Sequence, residues 1–251
     1  MKLHGRTALI TGGGTGMGRT IALRFAAEGA NLAVSYSKSQ AGAEEVVRQA
    51  QQQGVQAVAI KADVRRDDEC RRLVAEAVKA LGRIDTLVAC AGWTRRVLHH
   101  DLEHADEALW DNAWAINVKG AFFCARAVIP EMQRIGGGTI INITSIGGFS
   151  GQGSSIPYCA SKAALTSVTK SLARAFAPTI RVNAIAPGLV DTDFVEWPEV
   201  IAWGKKAYPL RRIVEPTDVA DVAVFLAADA KALTGQTIFV DCGVTALGPM
   251  A

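Results

Sequence analysis

Three side chains near the middle of the sequence could move and guide a proton: Ser145, Tyr158 and Lys162. Tyr158 and Lys162 lie four residues apart, so on a helix they share a face and the lysine ammonium can lie beside the phenol. A neighbouring cation favours the phenolate and lowers the pKa of a tyrosine from its ordinary value of about 10. The phenol can then exchange a proton with an alcohol or a ketone. Without the rest of the chain, the pair is better explained as a half-buried aromatic ring beside a solvated charge than as a catalytic acid/base.

A glycine loop near the amino terminus favours the catalytic interpretation of this pair. Arg6 to Ile10 predicts a short apolar strand, Thr11 to Gly18 a loop, and Thr20 to Ala30 a helix. Glycines at such a turn let the backbone approach a pyrophosphate, whose charge is favoured by the N–H groups of the helix start. A flexible loop is the alternative, and the position between strand and helix argues against it. The spacing is Gly-x-x-x-Gly-x-Gly, because Met17 stands where G-x-G-x-x-G needs a glycine.

Seven short motifs together resemble the short-chain dehydrogenase/reductase family in its single-domain form. They follow the family's order between about residue 3 and residue 243, and are Thr11–Gly18, Asp63-Val64, Cys90-Ala91-Gly92, Asn117, Ser145, Tyr158 with Lys162, and Pro187-Gly188. The resemblance implies a nicotinamide-dependent oxidoreductase with a Rossmann-type, doubly wound parallel sheet and helices on both faces.

Strand-like and helix-like stretches alternate along the chain, as in a doubly wound sheet. The seven predicted strands are Ala8–Ile10, Leu32–Ser35, Ala57–Lys61, Thr86–Ala89, Thr139–Ile143, Arg181–Ile185 and Ile238–Val240. Helices are predicted near 18–29, 40–53, 68–81, 106–134, 157–176 and 216–228. We expect Pro130 to kink or shorten its helix. The three glycines at 136–138 predict a turn rather than a phosphate loop, because they follow a helix and precede a strand.

Composition agrees with one globular enzyme domain over residues 1–251. With 49% hydrophobic residues, a chain of 251 can bury a sizeable core. The net charge is +3 and the basic residues are scattered, so we expect no nucleic-acid partner. No stretch reaches the ~20 apolar residues needed to span a bilayer, and we expect neither a membrane partner nor export.

The cysteines and histidines predict no metal or disulfide. The five cysteines form no C-x-x-C pair, which favours free thiols in a reducing cytoplasm. His100 and His104 form an i,i+4 pair, with His99 adjacent, but no further ligand cluster is evident and we expect no metal.

The resemblance implies a set of cofactor-binding residues at the carboxyl ends of the strands. They are Gly12, Thr15, Gly16, Met17, Gly18, Tyr36, Ser37, Lys38, Asp63, Val64, Cys90, Ala91, Gly92, Tyr158, Lys162, Pro187, Gly188, Val190 and Thr192. Asp63 corresponds to the family's contact with the adenine edge, although a helix N-cap is equally compatible with its local sequence. Cys90 replaces the family's usual asparagine. Its thiol cannot reproduce the hydrogen bonds of an amide, so we expect local support of the sheet and the glycine loop to differ.

NADP(H) is favoured over NAD(H) by the residues after the second strand. Ser35-Tyr36-Ser37-Lys38 carries no acid for a ribose 2′-hydroxyl, and Lys38 could meet a 2′-phosphate. Thr15 points the other way, because many NADP-using relatives carry a basic residue there.

The resemblance also implies the catalytic roles. Tyr158 is the general acid/base, and Ser145 holds the substrate oxygen. Lys162 holds the nicotinamide ribose hydroxyls and biases Tyr158 towards the anion. Asn117 matches the family asparagine that holds a water on the proton path, although an asparagine inside a helix also fits a local kink.

Substrate contacts are predicted for Trp93, Gln152, Trp197 and Trp203, which favour a neutral cyclic or aromatic ketone or secondary alcohol. The loop tryptophans could instead simply pack that loop onto the body. Two other functions stay open: a 3-oxoacyl-carrier-protein reductase, or a catalytically silent nucleotide-binding protein. Apolar residues on more than one side of 158–176, together with the resemblance, predict a homotetramer or homodimer, although burial within one subunit explains the same pattern.

Overall fold

The computed structural model describes residues 1–192, 194 and 197–250. Its centre is a seven-stranded parallel sheet of order β3-β2-β1-β4-β5-β6-β7. The strands are β1 Thr7–Thr11, β2 Asn31–Tyr36, β3 Ala57–Lys61, β4 Thr86–Ala89, β5 Gly138–Ile143, β6 Ile180–Pro187 and β7 Thr237–Val240. The chain reverses its order between β1 and β4, and such switch points are where parallel sheets bind ligands. The predicted Rossmann-type architecture is confirmed.

Helices cover both faces of the sheet. They are α1 Gly16–Ala27, α2 Gln40–Gln52, α3 Asp67–Leu81, α4 Glu107–Ala113, α5 Ala121–Arg134, α6 Gly147–Ser150, α7 Ile156–Phe176, α8 Pro198–Ala207, α9 Pro216–Ala228 and α10 Val244–Leu247. A π-helix, Trp114–Gly120, joins α4 to α5. None of the helices in the described residues is long and apolar enough to cross a membrane.

Two apolar layers hold the helices against the sheet. Successive side chains of a strand point to opposite faces, so Ile10 packs with α1 and α9 while Leu9 packs with α3 and α5. Phe25 of α1 and Leu73 of α3 are fully buried on the two sides. Both faces are therefore covered, as a parallel sheet requires.

The structure differs from the sequence prediction in several helices. The helix predicted over 106–134 is α4, the π-helix and α5 in succession. Pro130 lies inside α5, which continues to Arg134, so the proline does not shorten it. The helices α6, α8 and α10 were not predicted. The glycine turn before β5 is confirmed, with positive φ at Gly136 and Gly137.

Candidate active site

The predicted proton-transfer residues meet at the carboxyl end of β5. Ser145 follows that strand, and α7 begins just beyond it, with Ser155 as N-cap accepting a bond from the backbone N–H of Tyr158 at 3.3 Å. A proline occupies the first turn of α7, where its missing N–H costs nothing. Tyr158 and Lys162 therefore lie one helical turn apart on the first two turns of a firmly started helix.

Ser145 and Tyr158 line the same cavity. Ser145 Oγ accepts from the backbone N–H of Gly147 at 3.1 Å. Burial raises the pKa of Tyr158 to about 12, and the polar side chain of Ser145 opposes this rise. The ammonium of Lys162 lies 5.7 Å from the centre of the phenol ring. Removal from water has the largest influence on the pKa of Tyr158 in the chain itself, and the predicted lowering by Lys162 stays a prediction.

Lys162 is held in place from the other side. Its side chain is 5% exposed, and Nζ donates to the carbonyl oxygen of Ile143 at 2.8 Å. Burial lowers its pKa to about 8, with a small opposing effect from Cys90. The lysine is thus mostly protonated at neutral pH and can donate further hydrogen bonds into the cleft.

Asn117 lies in the middle of the π-helix and is 1% exposed. Its Oδ1 accepts from the backbone N–H of Trp93 at 2.8 Å, and its Nδ2 donates to the carbonyl oxygen of Trp93 and to Ser161 Oγ. Ser161 Oγ in turn donates to the carbonyl oxygen of Tyr158 at 2.7 Å. The side chain of Asn117 therefore fastens the chain after β4 to α7, and its predicted role with a water stays a prediction. Its π-helical geometry is one that often marks functional sites.

The glycine loop has the close packing that a phosphate cradle needs. A Cβ at Gly18 would lie 2.3 Å from the carbonyl oxygen of Gly12, and one at Gly12 would lie 3.0 Å from Cα of Ala91. A Cβ at Gly16, which starts α1 at a φ of +50°, would lie 3.8 Å from the Thr192 side chain. Thr15 makes no side-chain cap, and the first turn of α1 carries no acid, so its N–H groups are open to an anion. These residues fit a dinucleotide.

The residues after β4 are held by Thr11 rather than by Cys90. Thr11 Oγ1 accepts from the backbone N–H of Cys90 at 3.1 Å and of Ala91 at 3.0 Å. Burial raises the pKa of the Cys90 thiol to about 11, and the charge of Lys162 opposes the rise. At neutral pH the thiol is thus protonated and inert. Gly92 completes this wall, since a Cβ there would lie 3.7 Å from Lys162 Nζ.

Asp63 and Val64 follow β3 as predicted. Asp63 accepts from the backbone and guanidinium of Arg65, and α3 begins only at Asp67, so Asp63 is not its N-cap. Val64 packs on Gly120 at the end of the π-helix, where a Cβ would lie 2.7 Å from Val64 Cγ2. Gly120 thus sets how closely the π-helix approaches this edge of the cleft.

Lys38 stands between β2 and α2, beside the glycine loop. A Cβ at Gly14 would lie 3.0 Å from Ser39 Oγ, and one at Gly42 would lie 2.4 Å from the carbonyl oxygen of Gly14. The loop therefore packs directly on the start of α2. Tyr36 is half-buried, while Ser37 and Lys38 are exposed.

An open cavity of about 330 Å³ lies over the Ser145–Tyr158 pair. The predicted cofactor residues along its wall are Met17, Pro187, Gly188, Val190 and Thr192. Three of the four predicted substrate residues also line it: Gln152, Trp197 and Trp203. Trp93 does not. Its backbone is hydrogen-bonded to the Asn117 side chain, and its ring is not among the groups that line the cavity.

The cavity has two kinds of wall. On one side, residues 94–99 are bound to the loop before α7: Val97 N donates to Ser154 O at 2.8 Å, Thr94 bonds Ser154, and His99 contacts Gly153 O. On the other side stands α8. Helix α8 packs closely against Ile213 and Leu189 at Gly204, because a Cβ there would lie 2.8 Å from the side chain of each.

Sequence reasoning missed several residues of the site. Ser161 sits inside the Tyr-x-x-x-Lys motif, but its role depends on Asn117, which is 44 residues away. Tyr208 lines the cavity and its hydroxyl accepts from the backbone N–H of Leu189 at 3.0 Å. Arg96 and His99 also line it. No local pattern marks any of these four, because each is defined by a contact between distant segments.

The apolar residues of α7 are explained largely within the chain. Leu165 and Leu172 are buried, and Val168 packs against the same layers. They do not require a second subunit, so the expected homotetramer or homodimer stays a prediction.

Comparison with known proteins places the chain in a family. A family model described as enoyl-(acyl carrier protein) reductase matches residues 12–245. The 3-oxoacyl-[acyl-carrier-protein] reductase of Staphylococcus epidermidis is 41% identical over 243 residues, 95% of this chain and 98% of the relative. Dehydrogenase/reductase SDR family member 4 of Pongo abelii is 38% identical, over 96% of this chain and 88% of the relative.

A solved structure agrees in backbone as well as sequence. The 7α-hydroxysteroid dehydrogenase complexed with NADH and 7-oxo glycochenodeoxycholic acid superposes with a TM-score of 0.88 at 34% identity, covering 96% of this chain and 94% of that one.

The fold and site are those of an oxidoreductase that binds a nicotinamide cofactor. The chain belongs to the short-chain dehydrogenase/reductase family. This confirms the prediction of an enzyme and argues against the catalytically silent alternative.

Proposed function

We propose that this enzyme interconverts a carbonyl and a secondary alcohol, with Tyr158 as the proton donor in reduction. The observation that carries the proposal is that Ser145 and Tyr158 line one largely apolar cavity, with Lys162 buried one turn along α7. This places a donor, an oxygen-binding hydroxyl and a cation around one point.

The nicotinamide supplies hydride chemistry when it is bound. Because its pKa is raised to about 12, Tyr158 is protonated at neutral pH and can donate to the carbonyl oxygen. Ser145 Oγ holds that oxygen as negative charge develops. Lys162, anchored on Ile143, provides the positive charge that stabilises the phenolate left behind. In oxidation the same phenolate takes the alcohol proton.

The test is Tyr158→Phe, which removes the transferable proton and keeps the ring. Turnover should fall by at least the ~10² typical of a lost general acid, while NADPH affinity measured by titration stays near that of the wild type. The substrate panel should contain aromatic and cyclic ketones, the matching alcohols and an acetoacetyl thioester. Near-normal turnover of Tyr158→Phe on the best substrate would refute the proposed mechanism.

A second candidate is reduction of 3-oxoacyl thioesters. The 41% identity to the Staphylococcus epidermidis reductase over 95% of the chain favours it. The thioester in the panel separates the two: a kcat/KM well above that of every free ketone would select this candidate.

For the cofactor we favour NADP(H) over NAD(H). Lys38 is exposed beside the start of α2, and no acid pairs with it among the described residues. No acidic residue ends β2 either. A ribose 2′-phosphate would therefore lie near the positive charge of Lys38, with no carboxylate there to repel it. Direct titration should give a lower Kd for NADPH than for NADH, and the reverse order would reject this preference.

Location and assembly remain proposals as well. Five free cysteines support a cytoplasmic location, because thiols persist under reducing conditions. A homotetramer or homodimer rests on family likeness.

A further inference from the structure

One permanent charge stands in the cavity wall. Of the described residues that line the cavity, Arg96 is the single one with a fixed charge, and none is an acid. Its side chain is 38% exposed, so it lies between the apolar interior and solvent. A cation in a largely apolar cavity wall favours a ligand that brings an anion.

The contacts of Arg96 leave most of its donors open. Nη1 donates to Glu199 Oε1 at 2.6 Å, and the guanidinium carbon lies 5.0 Å from the centre of the Trp197 ring. Nε and Nη2 have no partner in the described residues. A guanidinium presents its N–H groups as a planar fork that matches a carboxylate. The ring of Trp197 fixes the plane of that fork.

The ion pair with Glu199 is a weak competitor. The Glu199 side chain is 64% exposed, and exposed ion pairs contribute little net stability in water. A ligand carboxylate can therefore share or replace this contact.

The position of Arg96 relative to Tyr158 is fixed by the backbone. Val97 and Thr94, on either side of it, are bonded to Ser154, which directly precedes the N-cap of α7. A donor placed in advance loses less freedom when a ligand binds.

We propose that Arg96 is a specificity residue that binds a single carboxylate carried on the apolar body of the substrate. This rests on the proposed carbonyl–alcohol reaction and refines its substrate class. The residues predicted from the sequence to contact the substrate carry no charge and favour a neutral compound, whereas Arg96 adds a cation from a different segment. The substrate is then an apolar ring or chain with one acidic end.

Neighbouring Arg95 provides a matched control. It is 42% exposed, pairs with Asp106 at 2.8 Å and donates to the carbonyl oxygen of His104, outside the cavity lining. Arg95→Met and Arg96→Met therefore remove the same charge from adjacent positions, and only one of these positions faces the cavity.

The experiment compares 4-acetylbenzoate with its methyl ester, which differ in charge. Calorimetry on wild-type enzyme saturated with NADP⁺ measures their Kd values, and NADPH consumption measures kcat/KM. We expect the wild type to prefer the acid, Arg96→Met to lower the acid-to-ester ratio about tenfold, and Arg95→Met to leave it unchanged. Glu199→Gln should raise the ratio.

No preference for the acid in the wild type, or a preference that Arg96→Met retains, overturns the proposal. If Arg96→Met does not fold by thermal denaturation, Glu199→Gln decides: an unchanged or lower ratio then overturns it. Failure of the proposed reaction would give a different result. No ketone in the panel would then support NADPH consumption, but the enzyme would still bind the acid more tightly than the ester.

Discussion

The α7 wall and the α8 wall of the same cavity are built in opposite ways. Lys162 and Ser161 on α7 are buried, and each is hydrogen-bonded to another part of the chain. On α8, Trp203 is 50% exposed and Glu199 reaches out to Arg96. Buried polar networks are costly to disturb, whereas partly exposed contacts are not. We therefore expect proton transfer at the rigid wall and the aromatic substrate contacts at the tolerant one.

The strongest test of this contrast is Lys162→Ala. Loss of the ammonium removes the charge beside the phenolate and a donor to the cofactor cleft, so turnover should fall by at least ~10² and NADPH affinity should weaken. Steady-state kinetics and titration measure both effects. Lys170→Ala is the control, because that lysine is exposed on the same helix. Equal losses in the two variants would contradict the assignment.

A pH profile tests the same wall without changing its shape. The pKa of Lys162 is lowered to about 8, so its charge is present below that pH and lost above it. Reduction should be level from pH 6 to 7 and then fall about tenfold for each unit well above pH 8. Tyr158, at about 12, stays protonated over this range.

Lys162→Arg supplies the comparison for that profile, since a guanidinium keeps its charge throughout. The alkaline decline should disappear in this variant even if its overall rate is lower. A decline that persists unchanged would assign the titration to another group.

Trp203→Ala should have the smallest effect and act on binding. The ring lies edge-on to Tyr208 with centroids 6.1 Å apart, and its loss opens the α8 wall. We expect KM for an aromatic ketone to rise about fivefold with kcat and thermal stability nearly unchanged. Trp110→Ala on α4 is the control, with a similarly exposed ring outside the cavity lining. A drop in kcat with KM unchanged would show that α8 also shapes the chemistry.

The sequence predicted the rigid half of the molecule well. Apolar runs and glycine turns located all seven strands, and the spacing from Ser145 to Tyr158 predicted two residues of one site, which the structure places in the lining of one cavity. The strands follow from local periodicity, and the pairing of Ser145 with Tyr158 follows from a motif with fixed spacing. The helix α8 was missed because the segment after Pro187-Gly188 was interpreted as a loop.

The electrostatics could not be predicted from the motif. Proximity of Lys162 suggested an acidified Tyr158, but the pKa depends on how far folding removes the phenol from water. The cavity role of Arg96 likewise depends on β-sheet order and loop packing, which bring residues 96, 154 and 197 to one place.

The π-helix has a consequence for chain length. An α-helix turns about 100° per residue, so the wider turn at Trp114–Gly120 acts as a phase offset between α4 and α5. Deleting one residue there would let an unbroken α-helix form, but α5 would then be rotated by that angle. If α4 kept its position, Cys124 and Val128 of α5 would rotate out of the core. If α5 kept its position, Asn117 would lose its hydrogen bond to Trp93. The number of residues in this turn, and not only their identity, keeps the core and the cleft in register.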